Sequence, residues 1–160
     1  MEKPDVVILR ATEPADLDEI FRFGQQPESI RLAAFTSDDP GDRDAFDAHW
    51  ARLLGDPRID TRSIRADGTL VGSVARWFED GEPEITYGID REHWGRGIAT
   101  RAVRLFVSSL PERPLRARVA VDNERSTRLL ERLGFRPVST SRAYAAGRGR
   151  ETDETLYLLD

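Results

Sequence analysis

Apolar residues recur along this chain with two periods, and the switches between them mark out its elements. Val6 to Leu9 is a short apolar run running into Arg10, a strand. Leu17, Ile20, Phe21 and Gly24 then mark the inner face of a helix. Thr12 is its candidate N-cap, and Pro14 suits its first turn. Ile30, Leu32 and Phe35 give a second short helix within 25–36. Ser37 to Asp42 is a loop by composition. Arg43 to Gly55 is a helix with Phe46, Trp50, Leu53 and Leu54 on one side, ended by Asp56-Pro57.

The period then shortens. Thr61 to Arg65, Thr69 to Glu79 and Pro83 to Ile89 read as strands, joined by the turn signals Asp67-Gly68 and Asp80-Gly81. Hairpin turns make them antiparallel neighbours. Ile98, Ala102, Phe106 and Leu110, flanked by Val103 and Val107, return to helical spacing. Leu115 to Val121 alternates apolar and basic residues, a strand that the preceding crossover makes parallel to 83–89. Asp122-Asn123 caps a helix from Glu124 to Leu133, with Gly134 at its C-terminal end. Phe135 to Tyr144 and Thr155 to Leu159 form a last hairpin around Gly147-Arg148-Gly149. The predicted class is a single α/β (α+β) domain, residues 1–160, with a mixed sheet. The sheet is antiparallel at both ends and has one parallel pair at its centre.

Composition narrows the chemistry. Of 160 residues, 33% are charged and 39% hydrophobic, and no apolar run is long enough to span a bilayer. The polar start Met1-Glu2-Lys3-Pro4-Asp5 has no signal-peptide core, which predicts a cytoplasmic protein without membrane attachment. A net charge of -5 argues against general nucleic-acid binding. With no cysteine, disulfides, thiolate metal sites and a cysteine nucleophile are excluded. Two histidines, His49 and His93, make a histidine-rich metal site unlikely, so no metal is expected.

The stretch Asp90 to Thr100 carries the strongest signal. It leads from a strand to a helix through Gly95 and Gly97. Such a turn offers free backbone N–H groups at the positive end of a helix dipole, where a phosphate can sit. Without Cβ atoms there, a ligand can approach the backbone closely. Arg96 and Arg101 flank the turn and are candidate phosphate partners. Two ligand classes fit. Gly95-x-Gly97-x-x-Thr100 departs from a dinucleotide fingerprint only at its last position, and Asp122 ends the next strand. A dinucleotide fold needs successive parallel crossovers, however, and here hairpins dominate. Coenzyme A is the other class.

The residues His93-Trp94-Gly95-Arg96-Gly97-Ile98-Ala99-Thr100, then Val119-Ala120-Val121-Asp122-Asn123-Glu124-Arg125-Ser126, then Leu133-Gly134-Phe135 carry a resemblance. The chain resembles the GNAT N-acetyltransferases, and within them the branch of ribosomal-protein N-terminal acetylases. The resemblance covers nearly the whole chain. Trp94 stands where the broader family has Gln or Arg, a position at which this branch usually has an aromatic. The resemblance implies acetyl-CoA as co-substrate, with its pyrophosphate on the backbone of Arg96, Gly97, Ile98, Ala99 and Thr100. It also implies a pantetheine arm between two splayed central strands, near Tyr87, Gly88, Ile89 and Asn123. Homodimers are common in that branch.

Direct attack by a primary amine, from a protein N-terminus or a small molecule, is the simplest transfer. Glu84 is the candidate base, against a surface glutamate beside a turn. Ser126 is the candidate acid, against the second half of a helix cap. Asn123 can cap a helix and reach pantetheine. Tyr87, Tyr144 and Tyr157 are expected in sheet packing, and Trp50, Trp77 and His49 in the core or at a pocket rim. The other reading from these residues is an acyl-CoA-binding module that transfers nothing.

Overall fold

The computed structural model describes residues 2–160. Seven strands form one sheet: β1 (Val7–Ala11), β2 (Asp60–Ala66), β3 (Thr69–Glu79), β4 (Glu82–Ile89), β5 (Leu115–Ala120), β6 (Arg136–Ala145) and β7 (Arg150–Leu159). Their order across the sheet is β1-β2-β3-β4-β5-β7-β6. All neighbours are antiparallel except β4 and β5. The mixed sheet with a central parallel pair is as expected.

Five helices cover it: α1 (Leu17–Phe23), α2 (Pro27–Ala33), α3 (Arg43–Gly55), α4 (Ile98–Ser109) and α5 (Glu124–Arg132). Strand alternation assigns the faces. Arg62 and Ile64 of β2 point to α4, where the Arg62 guanidinium lies over the Phe106 ring and Ile64 joins the main core. Ser63 between them points the other way and donates to Asp16, just before α1. The core lies mainly between the sheet and α4, around Phe106, Ile98, Val103, Leu115 and Leu130, all at most 1% exposed. Helix α3 is fastened to α1 by edge-to-face packing of Phe46 on Phe21, with the buried Trp50 beyond Phe46.

Three expectations shift. The first helix is preceded by a single 3-10 turn over Pro14–Asp16 capped by Glu13, not Thr12. There the Asp16 carboxylate accepts the Glu13 N–H, while Thr12 is buried against Ser63. Strand β7 begins at Arg150, five residues before the predicted Thr155. Its start, Arg150-Glu151-Thr152-Asp153-Glu154, is polar and low in intrinsic strand preference, but pairing with β6 on one side and with β5 at Glu154 holds it extended. Tyr144 is 60% exposed rather than packed, because β6 is an edge strand with its faces open.

Candidate active site

Strands β4 and β5 pair at one position only, Glu84 with Arg116. Beyond it they diverge, leaving a gap through the sheet. The Asp90 N–H bonds to Val71 O across β3, so alternation along β4 turns the Tyr87 and Ile89 N–H groups toward the open side. The Ile89 carbonyl there accepts from the Trp94 indole N–H at 2.9 Å.

The glycine turn lies at one end of this gap. Gly95 and Gly97 have φ of 78° and 72°, the left-handed region that favours glycine. A Cβ on Gly95 would meet nothing, and one on Gly97 would meet only the Lys3 side chain at 3.9 Å. The first helical N–H with a backbone partner is that of Arg101, on Gly97 O at 3.2 Å. Those of Ile98, Ala99 and Thr100 precede it and have no intrahelical acceptor. An open space over unpaired donors at a twelve-residue helix fits an anion.

Buried Asp90, 1% exposed, fixes this turn to the first helices. It accepts from Gln26 Nε2 at 2.7 Å, Arg22 Nη2 at 3.2 Å and the Glu92 N–H at 3.3 Å. Burial pushes its pKa up, but these hydrogen bonds outweigh it and hold the carboxyl below its ordinary value. Arg96 Nε donates to the Glu2 carbonyl at 2.8 Å, and Arg101 to those of Pro4 and Asp5 at 2.6 and 3.0 Å. The two guanidinium groups therefore pin the N-terminal segment, which brings Lys3 to the turn. Arg125 of α5 stacks over Trp94, 4.8 Å from the ring centroid.

A cleft of about 680 Å³ runs from the turn along Tyr87, Gly88 and Ile89 of β4 and past α5. A second, of about 530 Å³, opens on the other side of the gap between β4, β5, β7 and the end of α2. Both are lined by Tyr87, Asn123 and Ser126, so these three residues stand where the clefts meet.

Asn123 makes two hydrogen bonds through its side chain. Its Oδ1 accepts the Ser126 N–H and its Nδ2 donates to Leu32 O, each at 3.2 Å. It caps α5 and closes α2 onto it. The Tyr87 hydroxyl is buried and faces Ser126 without completing a hydrogen bond of normal geometry. Burial pushes this phenol up to about 12, so it keeps its proton at neutral pH.

The second cleft is acidic. Glu84, 5% exposed, places Oε1 at 3.2 Å from Arg118 Nε and 3.7 Å from Arg116 Nε. Glu79, Asp80 and Glu154 also line it, with Trp77 and Phe35 as apolar walls. Trp50 and His49 do not contribute. Trp50 is buried beside α1, and Tyr157 lies in the main core. The hairpin between β6 and β7 braces this side. The Gly147 N–H donates to Ala34 O at 2.7 Å, and Arg148 holds Asp122 bidentately at 2.7 and 2.8 Å.

Sequence reasoning passed over Asp90, Lys3 and Glu154. A signal existed for Asp90, an acid directly after a strand and before a 3-10 turn. None existed for the other two, which reach the site through tertiary contacts.

The acetyltransferase (GNAT) domain family matches residues 7–136, and the chain belongs to that family. It is 34% identical over 85 residues to an uncharacterised N-acetyltransferase, p20, of Bacillus licheniformis. That match spans 51% of this chain and about half, 48%, of the relative. It is 28% identical over 139 residues to the N-alpha-acetyltransferase RimI of Mycobacterium tuberculosis, covering 83% of this chain and 85% of that one. The fold superposes on a Vibrio cholerae spermidine N-acetyltransferase solved with CoA and spermine. The TM-score is 0.82 at 20% identity, over 96% of this chain and 94% of the other. Among the described residues no group of His, Cys, Asp or Glu is arranged to hold a metal ion, and no helix is long and apolar enough to cross a membrane.

Proposed function

We propose that this protein transfers the acetyl group of acetyl-CoA directly to a primary amine, in the manner of the branch that includes ribosomal-protein N-terminal acetylases. One observation carries the reading: two clefts of opposite charge meet through the gap between β4 and β5 at Tyr87, Asn123 and Ser126. The cleft beside the glycine turn suits the nucleotide end of acetyl-CoA. The N–H groups of Ile98, Ala99 and Thr100 hold the pyrophosphate, Gly95 and Gly97 let it approach, and Lys3 adds a charge. Arg96 and Arg101 serve through the backbone and through the segment they pin. The open edge at Tyr87, Gly88 and Ile89 pairs with the pantetheine amides.

The amine enters from the acidic side, which favours a cationic acceptor, whether a protein N-terminus or a small molecule. Within the gap, the β4 N–H groups that face it stabilise charge building on the thioester oxygen. The Ser126 hydroxyl supplies a proton to the leaving sulfur, with Tyr87 as its protonated neighbour and Asn123 fixing the turn that carries it. Holding the two substrates together in the right orientation supplies much of the rate. The reaction is placed in the cytoplasm, where acetyl-CoA is available.

Calorimetric titration with acetyl-CoA and, separately, NAD, followed by thiol release over an amine panel, tests this. Micromolar acetyl-CoA binding with amine-dependent thiol release is expected. Binding without release over a broad panel gives a non-catalytic acyl-CoA module, and NAD binding alone overturns the reading.

A further inference from the structure

We infer that Glu154, rather than Glu84, takes the proton from the acceptor amine, and that Glu84 is a positioning residue acting through Arg118. This rests on the acetyl-transfer reading above. Because β7 begins at Arg150, Glu154 sits within a strand, in register with Ala120, the last residue of β5. Paired residues share a face. Arg118 and Arg116 lie two and four positions before Ala120, so they share that face. So does Glu84, through its pairing with Arg116. Glu154 is therefore placed on β7 opposite the end of β5, four residues past the point where β4 and β5 part, and it lines the same cleft as Tyr87, Asn123 and Ser126.

The four carboxylates of the acidic cleft are not equivalent. Glu84 is taken up by Arg118 and Arg116. Glu79 accepts the Trp77 indole N–H at 3.1 Å and is exposed. Asp80 lies in an exposed turn. Glu154 is half-buried and has no hydrogen bond or ion pair from its carboxylate among the described residues. The groups that face it are Arg118 from β5 and Glu84 from β4, with Ser141 its register partner on β6 and Phe35 the apolar wall at the end of α2. Burial raises its proton affinity, Arg118 opposes this, and the Glu84 charge adds to it. A carboxylate with no hydrogen-bond partner and a raised pKa is free to take a proton, whereas the Glu84 carboxylate already accepts from Arg118.

The step balances simply. A bond forms from the amine nitrogen to the acetyl carbon, and the carbon–sulfur bond breaks. The cationic amine loses two protons: the first passes to a Glu154 carboxylate oxygen and frees the lone pair for attack, and the second leaves the nitrogen of the adduct and replaces the proton that the Ser126 hydroxyl gives to the departing sulfur. No oxidant or further reactant is needed.

The test uses the whole chain with acetyl-CoA, and spermine and a short alanine-starting peptide as acceptors, followed from about pH 6 to 9 for wild type, Glu154→Gln and Glu84→Gln. For Glu154→Gln, kcat/KM for the amine should fall about a hundredfold at neutral pH. The rise due to the amine's own deprotonation should remain and the further rise due to Glu154 should be lost, while acetyl-CoA Kd stays within about twofold of wild type. Glu154→Asp should recover part of the rate. Glu84→Gln should keep that further rise and move it to lower pH, because a like charge is removed and Arg118 is freed to face Glu154. A Glu154→Gln profile like that of wild type, or loss of the further rise in Glu84→Gln alone, overturns the inference. If wild type acetylates neither these two nor any other amine of the broad panel, the transfer reading itself falls.

Discussion

Lys3, His93, Arg125, Arg128 and Arg132 line the cleft beside the glycine turn, with no carboxylate among them. Across the gap, Glu79, Asp80, Glu84 and Glu154 face Arg118. A chain of net charge -5 has thus gathered its local positive charge where a polyphosphate would lie and its negative charge where an amine would arrive. The two sides also differ in construction. On the cationic side the backbone donors come from one continuous stretch, Asp90 to Thr100, locked by one buried carboxylate, and the charges around it come from Lys3 and α5. The acidic side is assembled from β3, β4, β5, β7 and α2, with Glu84 hydrogen-bonded to Arg118 and 3.7 Å from Arg116 Nε. A helix N-terminus demands a fixed local backbone to bind an anion, whereas a charge field for an amine can be drawn from distant segments.

If the two sides are separate devices, each variant should move one substrate's constants and spare the other's. The largest effect is expected at the turn. Gly97→Glu forces a Cβ into the left-handed region and sets a carboxylate among the unpaired N–H groups. Acetyl-CoA affinity should fall at least a hundredfold, about 3 kcal/mol, in calorimetry. An unchanged Kd would remove the anion site.

Asp90→Ala is next. Arg22, one of its partners, is 48% exposed, so the loss sits below that of a fully buried pair, at about 2 kcal/mol in urea unfolding. The pH dependence has a definite sign. Asp90 and Asp16 are both held below their ordinary pKa, so their stabilisation is complete above the unfolded value, about 3.9, and is lost as pH falls through the lowered folded values. Wild-type urea midpoints should decline through that window, and Asp90→Asn should flatten the decline. A variant that loses stability equally at every pH would contradict the assignment.

Ser126→Ala should slow turnover about tenfold while leaving acetyl-CoA Kd unchanged. Intact turnover would remove the acid role. Glu79→Lys reverses one charge at the acidic rim. At low salt it should raise KM for a cationic amine about fivefold, with acetyl-CoA KM unmoved, and added salt should erase the difference. The smallest effect is Lys3→Ala, a loss of about threefold in acetyl-CoA affinity that also shrinks with salt. A rise in amine KM for Lys3→Ala would show that the two sides are not separate.

The order of elements from Arg43 onward, the mixed sheet, the glycine turn and the caps at Asn123 and Gly134 were legible in the sequence, because periodicity, turn chemistry and helix caps are local. Helix α3, Arg43–Gly55, coincides with its predicted bounds for that reason. Thr155 was a poor guess for the start of β7 because the five polar residues before it are extended only by their neighbours. The roles of charged groups were the least legible. Arg96 and Arg101 sit at a phosphate motif, yet their side chains hold the backbone of residues 2, 4 and 5. Glu84 has the position of a base, but two arginines on the adjacent parallel strand claim it, and a parallel partner more than thirty residues away leaves no mark on local pattern. By itself the sequence determined where the chain folds back and where an anion can rest, since both follow from backbone conformation over a few residues. Only the tertiary structure decided which ionisable groups are spent on one another and which, like Glu154 and Lys3, are left facing the clefts. Long side chains pair across whatever strands the topology makes adjacent.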